Sequence, residues 1–174
     1  MTNHLKIKDF NHFQELVIQW ANERDMFCSK NGVTFASQFC KFMEEAGELG
    51  EGLIEENQLK IKDGIGDCAV AMVIMAEILS VKIVIEPDLF KYQGLTISSD
   101  LLYRYMLECV DLLRRDVKAG NAPYNLNFNW LIAELIKLAE SNNLNFIECC
   151  EHSYNKIKNR KGKMINHKFV KEAE

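Results

Sequence analysis

An apolar run at residues 68–78 constrains the fold more than any other feature of this chain. It reads Cys-Ala-Val-Ala-Met-Val-Ile-Met-Ala-Glu-Ile, with Glu77 as its single charged residue. A helix that is apolar nearly all round is buried inside a protein rather than lying on its surface. We therefore predict a buried central helix over residues 59–82. Asp67 stands at the mouth of its apolar part, where an ionised carboxylate is costly unless it is paired or metal-bound.

A second helix is predicted over residues 42–55. Four apolar residues recur there with the helical period and supply a core face: Phe42, Ala46, Leu49 and Leu53. Glu45 and Glu48 lie together on one flank of that stripe, roughly 70° and 130° from its centre at about 100° per residue. Neither carboxylate is forced into the core, although Glu45 borders it.

The negative charges of this acidic helix repel one another. Glu44 and Glu45 each lie one turn from Glu48, so the cluster is disfavoured without a cation. Lys41, one turn before Glu45, supplies a counter-charge on that face. Two interpretations stay open: a solvated acidic helix face, or carboxylates that hold Mg²⁺ together with substrate phosphates.

The acidic motif resembles that of a known family. Lys41-Phe-Met-Glu-Glu-Ala-Gly-Glu-Leu, followed by Lys62-Asp-Gly-Ile-Gly-Asp67, is similar to the EExxE and ExxD signature of the MazG-like all-α nucleoside triphosphate pyrophosphohydrolases. Upstream, Gln19-Trp20-Ala21 and Gln38 agree with the family's first helix and its lead into the motif. Residues 154–164 and 169–171 resemble the C-terminal segment of the short, phage-type members. The matching parts cover about residues 10–80 and 144–172.

The resemblance implies a site and an activity. We expect Glu45, Glu48 and Asp67 to hold Mg²⁺, with Mn²⁺ as a possible substitute, and Glu44 or Glu48 to orient or deprotonate a water. Attack on the α-phosphorus of a (deoxy)nucleoside triphosphate would give a monophosphate and pyrophosphate. The expected catalytic residues are Glu44, Glu45, Glu48 and Asp67.

One position departs from the family pattern. Gly64 stands where the family usually has the Glu of ExxD, so one expected metal ligand is missing. Asp63 lies four residues before Asp67, hence on the same helix face, and is a possible fourth ligand. If Asp63 cannot serve, the alternative is a catalytically impaired MazG-like module that binds nucleotide or protein.

Basic and aromatic residues outside the acidic motif are candidates for substrate contacts. Trp20 is expected either to stack on the base or to pack in the core. The lysines and arginine near the C-terminus are a solvated end, a nucleic-acid contact, or a group that closes over a triphosphate. The predicted substrate-binding residues are Lys41, Trp20, Gln38, Asn155, Lys158 and Arg160.

Residues 1–174 are expected to form a single all-α domain, a MazG-like helical bundle whose two central helices carry the acidic motif. A loop is predicted from Glu86-Pro87 to Ser99, with Ser99 or Asp100 as the cap of the next helix. A basic tail begins at about residue 160, where Gly162 predicts a helix end just after Arg160 and a more mobile flap beyond it. The other predicted helices span residues 10–24, 100–118, 129–141 and 144–159.

Composition restricts the partners and the compartment. The net charge of −4 gives no general attraction to nucleic acid, so we do not expect nucleic acid as a partner. The six cysteines have no CxxC or paired Cys/His spacing, so they are expected to be reduced thiols. No apolar stretch reaches the 18 or so residues of a membrane span, and no signal peptide is recognised. We expect a homodimer or homotetramer in the cytoplasm, which is the host cytoplasm if the chain is phage-encoded.

Overall fold

The computed structural model describes residues 5–28, 30–85 and 97–172. In these residues the chain forms helices followed by a short hairpin, which confirms a mostly helical fold. The predicted loop from Glu86-Pro87 onward falls largely on residues 86–96, outside the described residues. The elements are α1 (Phe10–Asn22), α2 (Phe35–Ile54), α3 (Gln58–Ile78), α4 (Ser99–Ala119), α5 (Asn125–Ser141), α6 (Phe146–Ile157), β1 (Gly162–Ile165) and β2 (Lys168–Lys171).

Helix α3 is the centre of the fold. It packs against α1, α2, α5 and α6, and most of its residues from Ile61 to Ala76 are buried. The prediction of a buried central helix is therefore confirmed, although α3 ends at Ile78 rather than near residue 82. Ser80 follows with φ 55°, a left-handed conformation that cannot continue a helix.

Helices α2 and α3 form an antiparallel pair joined by a tight turn. Helix α2 begins at Phe35, two turns before the predicted stretch, because Thr34 and Ser37 form a reciprocal capping box. Asn57 caps α3 by accepting hydrogen bonds from the backbone N–H groups of Leu59 and Lys60 at 3.1 and 3.2 Å. The acidic motif thus lies inside a long helix and faces the first half of α3.

Two glycines of α3 set how closely its neighbours approach. A Cβ at Gly64 would lie 2.7 Å from the Cβ and 2.8 Å from the Cα of Leu49, so α2 crosses directly over this position. A Cβ at Gly66 would collide with the carbonyl oxygen of Cys149 and the hydroxyl of Ser153 on α6. Both contacts involve backbone, which cannot move aside as a flexible side chain would. The two crossings therefore require glycine.

Helices α4 and α5 form a second antiparallel pair, which contacts the first through α2 and α3. Ser98, one residue before the predicted caps, caps α4 by accepting a hydrogen bond from the N–H of Leu101. Gly120 ends α4 in the left-handed conformation, φ 73°. Helix α5 begins at Asn125, one turn earlier than predicted.

The C-terminal prediction of a longer helix and a flap is wrong in its secondary structure. Helix α6 ends at Ile157, and β1 and β2 pair antiparallel in a hairpin. Asn166 and His167 form its two-residue loop with φ 47° and 64°, the two positive φ values of a type I′ turn. The ring of Phe169 packs edge-on against Trp20, with centroids 5.5 Å apart, so the hairpin covers the end of α1.

Candidate functional site

Glu45 is the buried member of the acidic motif. Glu45 is only 7% exposed, whereas Glu44 and Glu48 on the same helix are exposed. The ammonium of Lys41 lies 2.6 Å from Glu45 Oε1 and 3.0 Å from Glu44 Oε1. One lysine therefore bridges two carboxylates of its own helix, as the spacing along α2 predicts.

Glu45 interacts electrostatically with Glu48 on its own helix and with Asp67 on α3. Burial raises the pKa of Glu45, Lys41 opposes this rise, and the negative charges of Asp67 and Glu48 add to it. The buried thiol of Cys68 responds similarly: burial raises its pKa well above the usual value, and the charges of Glu45, Asp67 and Glu48 raise it further. Two of the predicted metal ligands, Glu48 and Asp67, therefore lie close enough to the third, Glu45, to disfavour its charged form.

A second cluster lies beside the first, where α6 crosses the start of α3. The ammonium of Lys156 contacts Asp63 Oδ1 and lies 3.0 Å from Asp67 Oδ2. His152 Nε2 lies 3.2 Å from the same Asp63 oxygen. Burial lowers the pKa of Lys156, but the hydrogen bonds and charges of Asp63 and Asp67 outweigh burial, so the pKa is raised overall. Lys156 is thus a stable cation held between the two aspartates.

The packing of α2 on α3 explains why residue 64 is a glycine. Its position points into the crossing with α2, against the backbone of Leu49, and leaves no space for a side chain. A glutamate there would have to push α2 and α3 apart. Asp63 and Asp67 lie one turn apart on α3, as their spacing predicts, and share Lys156.

The predicted substrate residues in α6 and just after it form hydrogen bonds to other parts of the chain. The side chain of Asn155 pairs with the backbone of Leu5, accepting from its N–H at 3.3 Å and donating to its carbonyl at 3.2 Å. The ammonium of Lys158 donates to Asn155 Oδ1 at 2.6 Å. The carbonyls of Lys158 and Arg160 accept hydrogen bonds from the Arg24 guanidinium at 3.2 and 2.9 Å.

Trp20 and Gln38 lie in buried positions. Trp20 is 6% exposed and its indole N–H donates to the carbonyl of Ile157 at 2.8 Å. The guanidinium of Arg24 lies 4.8 Å from the Trp20 ring centroid. Of the two readings of Trp20, the structure shows packing at the end of α1. Gln38 is buried in the first turn of α2, seven residues and hence two turns before Glu45 on the same helix face.

Three residues were missed from the sequence: His152 and Lys156, which contact Asp63, and Arg24, which contacts Trp20. The signal for two of them was present in the helical phase of α6. Cys149 and Ser153 face α3, and His152 and Lys156 continue that side of the helix. Arg24 gave no such signal, since its partners are backbone carbonyls remote in the sequence. Among the described residues, no three His, Cys, Asp or Glu side chains come close enough together to hold a metal ion.

Comparison with known proteins gives one distant relative. Over 69 residues the chain is 41% identical to an uncharacterized 18.2 kDa protein from the rep-hol intergenic region of Haemophilus phage HP1 (strain HP1c1). The match covers 40% of this chain and 40% of the phage protein. No protein-family model and no solved structure matches the chain. None of the helices in the described part of the chain has the length and apolarity that a membrane crossing needs.

Proposed function

We propose that the chain is a magnesium-dependent nucleotide pyrophosphohydrolase that cleaves (deoxy)nucleoside triphosphates to a monophosphate and pyrophosphate. The observation that carries the proposal is the buried Glu45, whose pKa is raised by burial and further by the charges of Asp67 and Glu48. Such an arrangement is unfavourable for folding alone, because burial and the charges of Asp67 and Glu48 disfavour the charged form of Glu45. Perturbed groups of this kind concentrate at functional sites.

The donor chemistry at this cluster fits a hard divalent cation. Glu45, Glu48 and Asp67 offer carboxylate oxygens, which Mg²⁺ prefers and Mn²⁺ accepts. Lys41 pairs with Glu45 and Lys156 with Asp67, so both ammonium groups have to move before the oxygens can converge. Asp63 becomes a fourth ligand only when Lys156 leaves it. When bound, the cation supplies positive charge against the phosphates and lowers the pKa of a water.

The protein's own groups would position the substrate and accept a proton. Glu44 or Glu48, both exposed beside Glu45, takes the proton from a water whose oxygen bonds to the α-phosphorus. The bond between that phosphorus and the bridging oxygen breaks, and pyrophosphate leaves with the electron pair. Lys41, released from the carboxylates, stabilises the charge that builds on the phosphate oxygens.

Among the predicted substrate residues, the ammonium of Lys158 and the guanidinium of Arg160 remain candidates for phosphate contacts. Trp20, Gln38 and Asn155 would serve indirectly, by holding α1, the start of α2 and the N-terminal segment in place. This assignment follows from their buried or hydrogen-bonded positions.

Assembly as a homodimer or homotetramer is part of the proposal. Ile54 and Leu59, at the turn between α2 and α3, are 85% and 74% exposed. A second copy of the chain packed on this end of the α2–α3 pair would cover them. The proposed location is the host cytoplasm of a phage-infected cell, with no membrane or nucleic-acid partner.

A second candidate function is a catalytically impaired nucleotide-binding or protein-interaction module. Two observations favour it: glycine is required at position 64, and Lys156 already neutralises Asp63 and Asp67. In such a module Lys156 would neutralise the two aspartates permanently, as a bound metal ion would in an enzyme. The two candidates differ in whether a divalent cation displaces Lys156.

The test is a pyrophosphate-release assay with Mg²⁺ and a panel of canonical and damaged nucleoside triphosphates. We expect release with a matching monophosphate, and at least about a hundredfold loss in Glu48→Gln and Asp67→Asn, as for groups that act on the reacting phosphate. Glu51→Gln is the matched control, since Glu51 is exposed on the same helix and pairs with Lys60. Folded protein without release on any nucleotide would support the module instead, and full activity in both variants would overturn the assigned site.

A further inference from the structure

A cleft lies between the N-terminal segment before α1, the start of α3 and one side of α6. Its volume is about 680 Å³. The basic side chains that line it come from all three segments: Lys6, Lys8, Lys62, His152 and Lys156. Two of them, His152 and Lys156, also contact Asp63. The cleft therefore borders the cluster that Lys156 and His152 form with Asp63 and Asp67.

The charge of the cleft is unbalanced toward the positive. Glu148 and Glu151 are the carboxylates that line it, and Glu151 Oε2 is engaged by the backbone N–H of Ile7 at 2.7 Å. In the part of the chain that the structure describes, Lys6, Lys8 and Lys62 form no ion pair with a carboxylate. All three lysines line one concave surface, and their positive charges favour an anion there.

The first turn of α6 also borders the cleft. The N–H of Glu148 donates to the capping side chain of Asn145 at 3.1 Å, and the Glu148 carboxylate lies in the same turn. The positive end of this helix therefore already has polar and acidic partners. The attraction for an anion comes from the lysines, which bind phosphates as point charges.

Lys156 connects this cleft to the acidic site. It lines the cleft, and the same ammonium contacts Asp63 and Asp67. An anion in the cleft competes with both aspartates for one cation. Any shift of Lys156 toward the anion leaves Asp67, a proposed metal ligand, without its counter-charge.

We propose that the cleft binds a phosphate-bearing ligand and that this anion and a divalent cation at Asp67 assist each other's binding by drawing Lys156 out of the acidic cluster. The ligand is inorganic phosphate or pyrophosphate, or the phosphate chain of a nucleotide. Binding in the cleft stands by itself, whereas the coupling rests on the proposed metal site. By linkage, the anion strengthens cation binding by the same factor as the cation strengthens anion binding.

The cleft is tested by calorimetric titration of pyrophosphate in metal-free buffer. We expect binding to the wild-type chain, and about tenfold weaker binding to Lys62→Ala, as for loss of a charge-assisted contact. Lys60→Ala is the matched control: Lys60 lies on the same helix but pairs with Glu51 and Glu55 and does not line the cleft. Absence of binding to the wild type, or equal weakening by both variants, would overturn the cleft.

Parallel titrations with a nucleoside triphosphate and with its nucleoside identify the source of the phosphate. Tighter binding of the triphosphate than of pyrophosphate, still weakened by Lys62→Ala, supports a nucleotide ligand. Tighter binding of pyrophosphate supports a free inorganic ligand. Binding of the nucleoside at the strength of its triphosphate would show that the phosphates are not recognised, which overturns the proposal.

The coupling is tested by Mn²⁺ titration in sulfate and in chloride at equal ionic strength, without any substrate. Wild type is expected to bind Mn²⁺ about fivefold more tightly in sulfate, at the lower end of typical couplings. Lys156→Gln should bind Mn²⁺ more tightly than wild type in chloride and gain nothing from sulfate. Equal affinities in the two salts for wild type would overturn the coupling. No Mn²⁺ binding to either protein would overturn the coupling and the metal site together, while the pyrophosphate result decides the cleft separately.

Discussion

Two lysines each bridge a pair of carboxylates, at different levels of structure. Lys41 contacts Glu44 and Glu45, three and four residues further along its own helix. Lys156 reaches from α6 to Asp63 and Asp67 on α3. The first cluster needs only a helix to form, whereas the second needs two helices packed in one register. The comparison separates what local spacing provides from what the tertiary fold provides.

Gly66 is the residue that most depends on the packing of α3 and α6. We expect Gly66→Ala to destabilise the fold by about 2–3 kcal/mol. The added methyl group would collide with the backbone carbonyl of Cys149 and with the side-chain hydroxyl of Ser153. It should separate Lys156 from the aspartates and leave the Lys41 cluster intact. The measurement is chemical denaturation.

Gly47→Ala is the matched control for this substitution. Gly47 lies on α2 beside the Lys41 cluster, and a Cβ there would meet nothing within 4 Å. Alanine should stabilise the helix by up to about 1 kcal/mol. Equal effects of the two substitutions would show that the close approach of α6 to α3 does not hold in solution.

Removing the lysines themselves gives a smaller contrast. We expect Lys156→Met to cost about 2 kcal/mol, because it leaves two partly buried aspartates without their shared cation and removes a link between helices. Lys41→Met should cost less than about 1 kcal/mol, since Lys41 is 45% exposed and bridges within one helix. Unfolding free energies at neutral pH measure both. A larger loss for Lys41→Met would reverse the comparison.

The difference between contacts set by local spacing and contacts set by tertiary packing also decides how much could be predicted from the sequence. The buried α3 followed from its apolar run, and the pairing of Lys41 with Glu45 followed from a spacing of four residues. Lys156 could not be assigned to Asp63 in this way, because 93 residues separate them and the contact depends on where α6 crosses α3. Gly64 looked like a lost ligand, but it is the contact point with Leu49.

The C-terminal hairpin was missed for a different physical reason. Its strands have four residues each, too short for a clear alternation, and the turn is Asn166-His167 rather than the usual Asn-Gly. Its stability comes from distant contacts: Phe169 against Trp20, and His167 Nδ1 at 2.7 Å from the carbonyl of Gly32. Local patterns carry no information about such contacts.

Titration of Glu45 gives the smallest expected effect and sharpens the comparison within α2. Its pKa is raised in the folded chain, so as pH falls toward the ordinary glutamate range the folded state takes up this proton before the unfolded state does. Protonation of Glu45 therefore increases the free energy of unfolding on mild acidification. This contribution is lost as the pH rises through the pKa of Glu45 in the folded state. Glu45→Gln should remove this increment, because glutamine has no carboxyl group that takes up a proton. Lys41 and Lys156 have raised pKa values, and their stabilising contributions persist through this range and are lost only at strongly alkaline pH.

The measurement compares unfolding free energies at about pH 7.5 and about pH 5.5 for the wild type and two variants, within the range where most proteins are most stable. Glu44→Gln is the control, because Glu44 contacts the same lysine from an exposed position. If Glu45→Gln and Glu44→Gln changed the pH dependence equally, burial would not distinguish the two carboxylates. If only Glu45→Gln changes it, the buried carboxylate is held in its charged form at neutral pH against its environment. That unfavourable charge is what a divalent cation would relieve, so Mn²⁺ should stabilise the wild type more than Glu45→Gln at about pH 7.5.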